Sequence, residues 1–209
     1  MFVTNFLSAA QQAHAALTRW DQAAGDGDFG DNLCNALSGA ADRVVAGASL
    51  VDELDVVAEW FLDHVGGSSG PLFGLLFNSM AKQTRGASDV DRGLVDGLAA
   101  GTAAIQRVGE AVLGDRTMLD TLIPTIDHIQ ERGAPVDWPA AAGVALQNGR
   151  ATAQMRARMG RASYLGDRAI GSPDAGAMGV ALLFWALAVQ RDPDSRPRMQ
   201  SPASIADAT

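Results

Sequence analysis

Apolar residues recur along this chain at the three- and four-residue spacings of amphipathic α-helices. Leu33, Leu37 and Val44 keep one face of their segment apolar, and Leu94 and Leu98 repeat the pattern farther along the chain. The alternation of apolar and polar residues that is typical of half-buried strands is almost absent. The pattern therefore predicts an all-α protein.

The periodic stretches predict eight helices joined by short connections, an arrangement that favours antiparallel neighbours. Ser49, Ser88 and Asp137 stand where helix N-caps are expected. The predicted helices are Val3–Trp20, Asn32–Ala46, Leu50–Val65, Gly70–Thr84, Asp89–Val108, Thr117–Glu131, Trp138–Met159 and Pro173–Gln190.

The composition of the chain changes after residue 190. The last stretch, RDPDSRPRMQSPASIADAT, is polar and contains several prolines. No Ser/Pro-rich linker and no repeat of fixed period divides the residues before it. We therefore expect one helical domain over residues 1–190, followed by a disordered tail over residues 191–209.

Composition narrows the class of function. The 209 residues suffice for a core, and a formal charge of −8 with a pI near 4.7 argues against non-specific binding to nucleic acid or anionic membranes. Cys34 is the single cysteine, so an intramolecular disulfide and a cysteine-based zinc site are excluded. Signal-peptide features and an apolar run of about 18 residues are absent, so we expect a cytoplasmic protein.

The stretch DQAAGDGDFGDN, Asp21–Asn32, concentrates carboxylates and glycines just after the first predicted helix. Asp21, Asp26 and Asp28 fall in a glycine-rich turn that can bring three hard oxygen ligands together, as Mg²⁺ or Ca²⁺ requires. The alternative is a solvated turn in which Asp31 caps the next helix.

Three later connections also carry candidate chemistry. In GGSSG, Gly66–Gly70, backbone N–H groups at a helix start and the hydroxyls of Ser68 and Ser69 suit an anion, although a plain Gly/Ser turn has the same appearance. In GDRTMLDTL, Gly114–Leu122, Asp115 or Thr117 can cap a helix. The stretch GRASYLGDRAIGSPDAGAMG, Gly160–Gly179, is long for a connection in a helical bundle.

In this order and over this length, the motifs D-x4-D-G-D-x-G, GGSSG, GDRTMLD and GRASYLGDRAIG-x2-D-x-G resemble the nucleotide-binding L subunit of dihydroxyacetone kinases. The same domain forms the C-terminal part of ATP-dependent dihydroxyacetone kinases. The resemblance covers about residues 1–190. It implies a barrel of eight antiparallel helices with the nucleotide at one end, and a phosphotransferase that acts on dihydroxyacetone or a related short hydroxyketone.

The resemblance also implies ligands and the residues that bind them. It assigns two Mg²⁺ ions to Asp21, Asp26 and Asp28, and ADP or ATP to a pocket in which Met118 lies against adenine and Arg161 against phosphate. No side chain is assigned as a catalytic nucleophile or base. The residues implied in binding the nucleotide are Phe29, Gly30, Asp31, Asn32, Ser68, Ser69, Gly109, Met118, Arg161, Asp174, Ala175 and Gly176.

Partners follow from the same resemblance. The family holds its substrate covalently on a separate K subunit, so we expect this chain to be inactive alone. The phosphoryl donor is either exchangeable ATP or a phosphocarrier protein of the phosphotransferase system that rephosphorylates bound ADP, and the stand-alone length favours the second. The sequence leaves the oligomeric state open, a homodimer included.

The chain departs from the family pattern at two positions. Phe29 stands where the first motif usually has histidine, which puts the turnover rate in question, and Ala175 stands where the late motif usually has proline, which only loosens a loop. Two other functions therefore stay open. One is a non-catalytic nucleotide-sensing module, and the other is a helical scaffold stabilised by Ca²⁺.

Overall fold

The protein is all-helical, with no β-strand among the residues that the structure, a computed structural model, describes, namely 1–207. The longer helices are α1 (Phe2–Gln22), α2 (Phe29–Ala41), α3 (Leu50–His64), α4 (Ser69–Thr84), α5 (Val90–Gly109), α6 (Leu119–Arg132), α7 (Trp138–Ala151) and α8 (Ala175–Arg191), and a short α9 (Pro202–Asp207) follows. Short 3₁₀ segments span Thr152–Gln154, Arg161–Tyr164, Gly166–Ala169 and Pro193–Arg198. The prediction of an all-α protein is confirmed.

Each helix from α1 to α8 packs against the next one in the chain, and α8 returns to α1. An aromatic cluster joins α1, α3 and α4, in which Phe6 and Phe61 lie against Phe77 with ring centroids 6.3 and 5.5 Å apart. Helix α8 is buried along almost its whole length because α1, α6 and α7 surround it. Its uniformly apolar sequence follows from this position.

Helices α4 and α5 approach each other closely along a line of glycines on α5. A Cβ atom added at Gly97 would lie 2.5 Å from the Cα of Met80, and one added at Gly101 would lie 3.0 Å from the Cα of Leu76. Side chains at these positions would push the two helices apart. This contact fixes the C-terminal end of α5, which carries Gly109.

Two of the three predicted N-caps are confirmed. Ser49 and Asp52 form a capping box at α3, in which the Ser49 hydroxyl accepts the Asp52 N–H at 3.2 Å. Asp137 accepts the Ala140 N–H at 3.0 Å at the start of α7. The prediction for Ser88 is wrong, since Asp89 caps α5 and accepts the N–H groups of two following residues.

Helix ends near the acidic stretch differ from the prediction. Helix α1 runs on through Gln22, so Asp21 belongs to its last turn, and α2 begins at Phe29, so Asp31 lies inside the first turn and is not its N-cap. The predicted seventh helix stops early, at Ala151. There the Thr152 hydroxyl donates to the carbonyl of Gly149 at 2.5 Å and accepts the Asp174 N–H at 2.8 Å, which redirects the chain.

The segment after α8 contains structure where a disordered tail was expected. It forms a 3₁₀ segment and α9, and Ser195 and Ile205 are buried. The Ser195 hydroxyl donates to the carbonyl of Asp192 at 2.6 Å, and α9 packs on α1. Residues 208 and 209, the end of that predicted tail, lie outside the described residues.

None of the helices within residues 1–207 combines the length and the apolar character that crossing a bilayer requires.

Candidate functional site

Helix ends and loops converge around a cavity of about 370 Å³. Its wall is formed by the end of α1, the start of α2, the loop that leads into α4, the end of α5, the loop before α6, the segment around residue 160 and the start of α8. These segments come from widely separated parts of the sequence. The fold therefore gathers the four motifs at one place.

The three predicted metal ligands come together in this cavity. One carboxylate oxygen from each of Asp21, Asp26 and Asp28 lies within 4.8 Å of the other two. Asp21 is half-buried at the end of α1, whereas Asp26 and Asp28 are exposed. A turn through Gly27, with a φ of +79°, links them. Spacing of this order fits hard oxygen ligands around a divalent cation.

The carboxylates in this cluster have few hydrogen-bond donors of their own. Asp21 accepts the Phe29 N–H at 3.2 Å, and Asp28 precedes α2 without accepting a capping hydrogen bond from it. Arg161 forms an ion pair with Asp26. The cluster therefore combines mutual repulsion with the cationic neighbour Arg161, and these residues fit Mg²⁺ by the chemistry of their donor atoms.

Four helices begin at the cavity. Phe29 starts α2, Ser69 starts α4, Leu119 starts α6 and Ala175 starts α8. The N-terminal N–H groups of helices carry partial positive charge and bind anions, phosphates above all. Ser68, which precedes α4, accepts no capping hydrogen bond, so its hydroxyl stays available. The cavity thus combines a carboxylate cluster with anion-binding helix ends.

A buried arginine connects the loop before α6 to the start of α8. The side chain of Arg116 is completely buried, and its Nη2 donates to the carbonyl of Ser172 at 2.8 Å. Its Nη1 lies 3.8 Å from Oδ2 of Asp174, and Nε and Nη1 have no hydrogen-bond partner among the described residues. Arg116 also has a positive φ, +63°, which is uncommon for a residue other than glycine.

Asp174 caps α8 and is the titratable group most perturbed toward neutral pH. Its Oδ1 accepts the Ala177 N–H at 2.8 Å. Burial, with smaller contributions from the negative charges of Asp120 and Asp21, raises the pKa of Asp174 to about 6, against the opposing effects of the Ala177 N–H and of Arg116. Burial also lowers the pKa of Arg116.

Asp120 shapes the loop that carries Arg116. Its two carboxylate oxygens accept the N–H groups of Gly114 and Thr117 at 2.5 and 2.7 Å. Asp115, one of the two residues expected to cap this helix, instead accepts the Val112 N–H at 2.9 Å within the preceding loop. Thr117, the other residue expected to cap this helix, accepts the Leu119 N–H with its hydroxyl at 3.2 Å.

Most of the residues that the sequence implied at the nucleotide line the cavity. Gly30 and Asp31 do not. A Cβ atom added at Gly30 would lie 2.4 Å from the Thr18 hydroxyl, so this glycine lets α2 pack against α1. Asp31 is exposed and contacts His14 at 2.7 Å. The predicted residues that line it are Asp21, Asp26, Asp28, Phe29, Asn32, Ser68, Ser69, Gly109, Met118, Arg161, Asp174, Ala175 and Gly176.

The side chain of Phe29 points into the core. Only 8% of Phe29 is exposed, and its ring centroid lies 6.4 Å from that of Phe73. Gly179 of α8 accommodates the ring, since an added Cβ atom there would lie 2.9 Å from Cζ of Phe29. The backbone N–H of residue 29 therefore reaches the acidic cluster, whereas its aromatic ring packs between helices.

Arg116 is the cavity residue that the sequence left without a role. It belongs to the motif GDRTMLD, where a charged residue next to Asp115 and Thr117 is usually solvated. The sequence pattern does not indicate that this arginine is buried. The apolar wall of the cavity, which includes Leu72 and Ile105, was likewise not among the predicted site residues.

Comparison with known proteins identifies the family. The profile of the DAK2 domain matches residues 23–189, most of the chain and every helix after α1 as far as α8. The chain belongs to the Dak2 domain family. The suspected resemblance to the L subunit of dihydroxyacetone kinases is thereby confirmed.

Individual relatives of this Dak2 domain are kinases or kinase subunits. The ADP-binding subunit DhaL of PEP-dependent dihydroxyacetone kinase 1 from Listeria innocua is 34% identical over 188 residues, which cover 89% of this chain and 92% of the subunit. The D-erythrulose kinase of Mycolicibacterium smegmatis is 34% identical over 184 residues, 83% of this chain. This chain spans only 32% of that enzyme.

A solved structure has a similar fold. The dihydroxyacetone kinase from C. freundii, in complex with AMP-PNP and Mg²⁺, superposes with a TM-score of 0.70 at 25% identity. The match covers 90% of this Dak2 domain chain and 33% of the kinase. Relatives thus exist both as separate subunits and as parts of longer kinases.

Proposed function

We propose that this chain is the nucleotide- and Mg²⁺-binding subunit of a dihydroxyacetone kinase or of a kinase for a related short hydroxyketone. The observation that carries the proposal is the placement of Asp21, Asp26 and Asp28 in one cavity with the starts of four helices. That combination suits a phosphate chain bridged to the protein by divalent cations. The names of the Listeria innocua and C. freundii proteins support the same ligands.

Polar and apolar residues of the cavity bind different parts of the ligand. The three aspartates hold two Mg²⁺ ions, and the ions, when bound, offset the charge of the phosphates and of the transferred phosphoryl group. Ser68, Ser69 and the N–H groups at the start of α4 bind phosphate oxygens. Met118, which is buried at the cavity wall, lies against the adenine.

Arg161 and the start of α8 close the site around the nucleotide. Arg161 leaves Asp26 and pairs with a phosphate, since both partners are exposed and the existing ion pair is weak. Asp174, Ala175 and Gly176 cover the nucleotide, held in place by Arg116 beneath them. We also propose that the eight helices form an antiparallel barrel with this site at one end, in keeping with the return of α8 to α1.

The substrate is held by a separate K subunit, so chemistry requires both proteins. The designation of the Listeria innocua relative as an ADP-binding subunit of a PEP-dependent enzyme supports a tightly held ADP that a phosphocarrier protein rephosphorylates in place. Purified chain that is then denatured should release about one ADP per molecule. Rapid exchange of bound nucleotide with added ATP would instead assign ATP as the donor.

The decisive experiment combines the chain, a cognate K subunit, Mg²⁺, the phosphoryl donor and dihydroxyacetone, and measures the phosphorylated product. Asp28→Asn should abolish product and Mg²⁺-dependent ADP binding together. The matched control is Asp42→Asn, an exposed aspartate at the other end of the same helix, which should change neither. Tight Mg²⁺-dependent ADP binding without product would favour a nucleotide-sensing module, and Ca²⁺ binding without nucleotide would favour a scaffold.

A further inference from the structure

A second cavity, of about 870 Å³, lies farther along α8 than the nucleotide-site loops. Helix α7, the middle of α8 and the segment that follows α8 form its walls, and none of its lining residues is shared with the first cavity. Its size is in the range of small-molecule sites. Nothing in the proposed kinase reaction uses it.

Two side chains in this cavity carry hydrogen-bond donors without acceptors. Nε and Nη2 of Arg150 are shielded from solvent and have no partner among the described residues, and neither does Nε1 of Trp185. The remaining nitrogen of Arg150, Nη1, makes only a long contact of 3.4 Å to the amide oxygen of Gln200. Buried donors of this kind cost free energy unless something accepts from them.

The cavity is lined by two aspartates and two arginines, yet Arg150 is left without a counter-charge. Its two carboxylates are already engaged, because Asp192 pairs with Arg198 at 3.5 Å and Asp137 caps α7 by accepting the Ala140 N–H. Arg150 has no carboxylate within ion-pair distance among the described side chains. A shielded guanidinium without a counter-charge is the feature that most needs a ligand here.

The free nitrogens of Arg150 define the chemistry of that ligand. Nε and Nη2 lie on the same edge of the guanidinium and form the fork that binds two oxygens of a carboxylate or phosphate. Away from Arg150 the wall is apolar, with Ala142, Leu146, Ala181 and Ile205 among its residues.

We propose that this cavity binds an amphipathic oxyanion, a molecule with one carboxylate or phosphate group on an apolar body. The side chains of Arg150, which is held only by its long contact to Gln200, and of Trp185 turn toward the cavity when the ligand enters, so that its oxygens accept from Arg150 and from Nε1 of Trp185. The apolar body packs between α7 and the segment after α8. The proposal is independent of the kinase function, since the two cavities share no residue.

The test titrates the full chain with sodium octanoate and octyl phosphate by calorimetry. Octanol and inorganic phosphate serve as probes with the apolar body or the oxyanion alone. One or both amphipathic anions should bind at least tenfold more tightly than either single-feature probe. Binding of octanol as tight as that of both anions would overturn the proposal.

Variants separate Arg150 from general surface charge. Arg150→Met should weaken binding of the anion by about tenfold or more, in line with loss of a charge-assisted hydrogen bond. Arg43→Met is the matched control, since Arg43 lies over Trp60, outside this cavity, and it should leave binding unchanged. Equal affinity for Arg150→Met and wild type would refute the site.

A second variant protects the test against misfolding. If Arg150→Met does not fold, Trp185→Phe removes the Nε1 donor and keeps the aromatic packing, and it should weaken binding severalfold. The anion should also slow tryptic cleavage after Arg198, because the segment that carries this bond forms one wall of the cavity. Unchanged binding in a folded Trp185→Phe variant, together with unchanged cleavage, would contradict the proposal.

Discussion

Arg161 forms an ion pair with Asp26, one of the three carboxylates of the acidic cluster. The arginine thereby occupies a carboxylate that the proposed metal ions also require. Metal and Arg161 therefore compete for Asp26 until a phosphate offers the arginine another partner.

Replacing Arg161 should affect metal and nucleotide in opposite directions. In Arg161→Gln, Mg²⁺ alone should bind up to about fivefold more tightly, the range of an exposed ion pair, whereas ADP in the presence of Mg²⁺ should bind about tenfold more weakly. Isothermal titrations with Mg²⁺ and with ADP measure both. Arg158→Gln is the control, because Arg158 pairs with Asp115 outside the cluster. Weaker binding of Mg²⁺ alone would contradict the competition.

Removing one acid should not damage the fold. Asp26→Ala relieves repulsion among three carboxylates and loses one exposed ion pair, so the free energy of unfolding of the metal-free protein should change by less than about 1 kcal/mol. Mg²⁺-dependent binding of ADP should disappear. Urea unfolding in EDTA and a nucleotide titration measure the two effects. An unfolded variant would mean that Asp26 is a structural residue.

Burial of Asp174 predicts a specific pH dependence of stability. Its pKa of about 6 lies above the ordinary value of 3.8, so the folded protein keeps a proton that the unfolded chain has already lost. Asp174 therefore lowers the free energy of unfolding as pH rises from about 4 to about 6. Asp174→Asn keeps an oxygen to cap α8 but cannot ionise. It should be more stable than wild type by up to about 3 kcal/mol near pH 7.5 and equal to it near pH 4. A stability difference that does not vary with pH would instead reflect the cap alone.

Arg116 should matter most when Asp174 is ionised. Arg116→Met removes a positive charge near Asp174 and a donor to the Ser172 carbonyl, and should cost roughly 2 kcal/mol of stability near pH 7.5. The cost should be smaller near pH 5, where Asp174 is largely protonated. Arg116→Lys, which keeps the charge, should lose less at the higher pH. Equal losses for Met and Lys at both pH values would reduce Arg116 to a packing residue.

Introducing at position 29 the histidine that the resemblance implies should be harmful. Phe29→His places a polar ring in the space between Phe73 and Gly179, and should lower the free energy of unfolding by about 1–3 kcal/mol. Phe29→Leu, an apolar control, should lose less. Turnover with a K subunit should not increase in Phe29→His, because the side chain at this position faces the core. A stable variant with faster turnover would show that the ring can reach the phosphates.

The helices and the acidic cluster were predictable because their signals are local. Apolar spacing fixes a helix, and three aspartates within eight positions can meet wherever the turn between them lies. The end of α1 was predicted at Trp20, before Asp21, whereas the helix continues through Gln22. The end was misplaced because no proline or glycine within residues 20–23 marks it. The burial of Arg116 and the packing of Ile205 depend on contacts with distant helices, and spacing along the chain carries no record of them.

The ring of Phe29 occupies the space that α8 leaves open at Gly179, so these two positions constrain each other in evolution. The ring of Phe29 fits because α8 has no side chain at position 179. Any larger residue at position 179 would clash with phenylalanine at position 29 and so disfavour it. Conversely, a lineage that carries a smaller or polar residue at position 29 is released from the need for glycine at 179. Among relatives, the identities of these two positions should therefore change together.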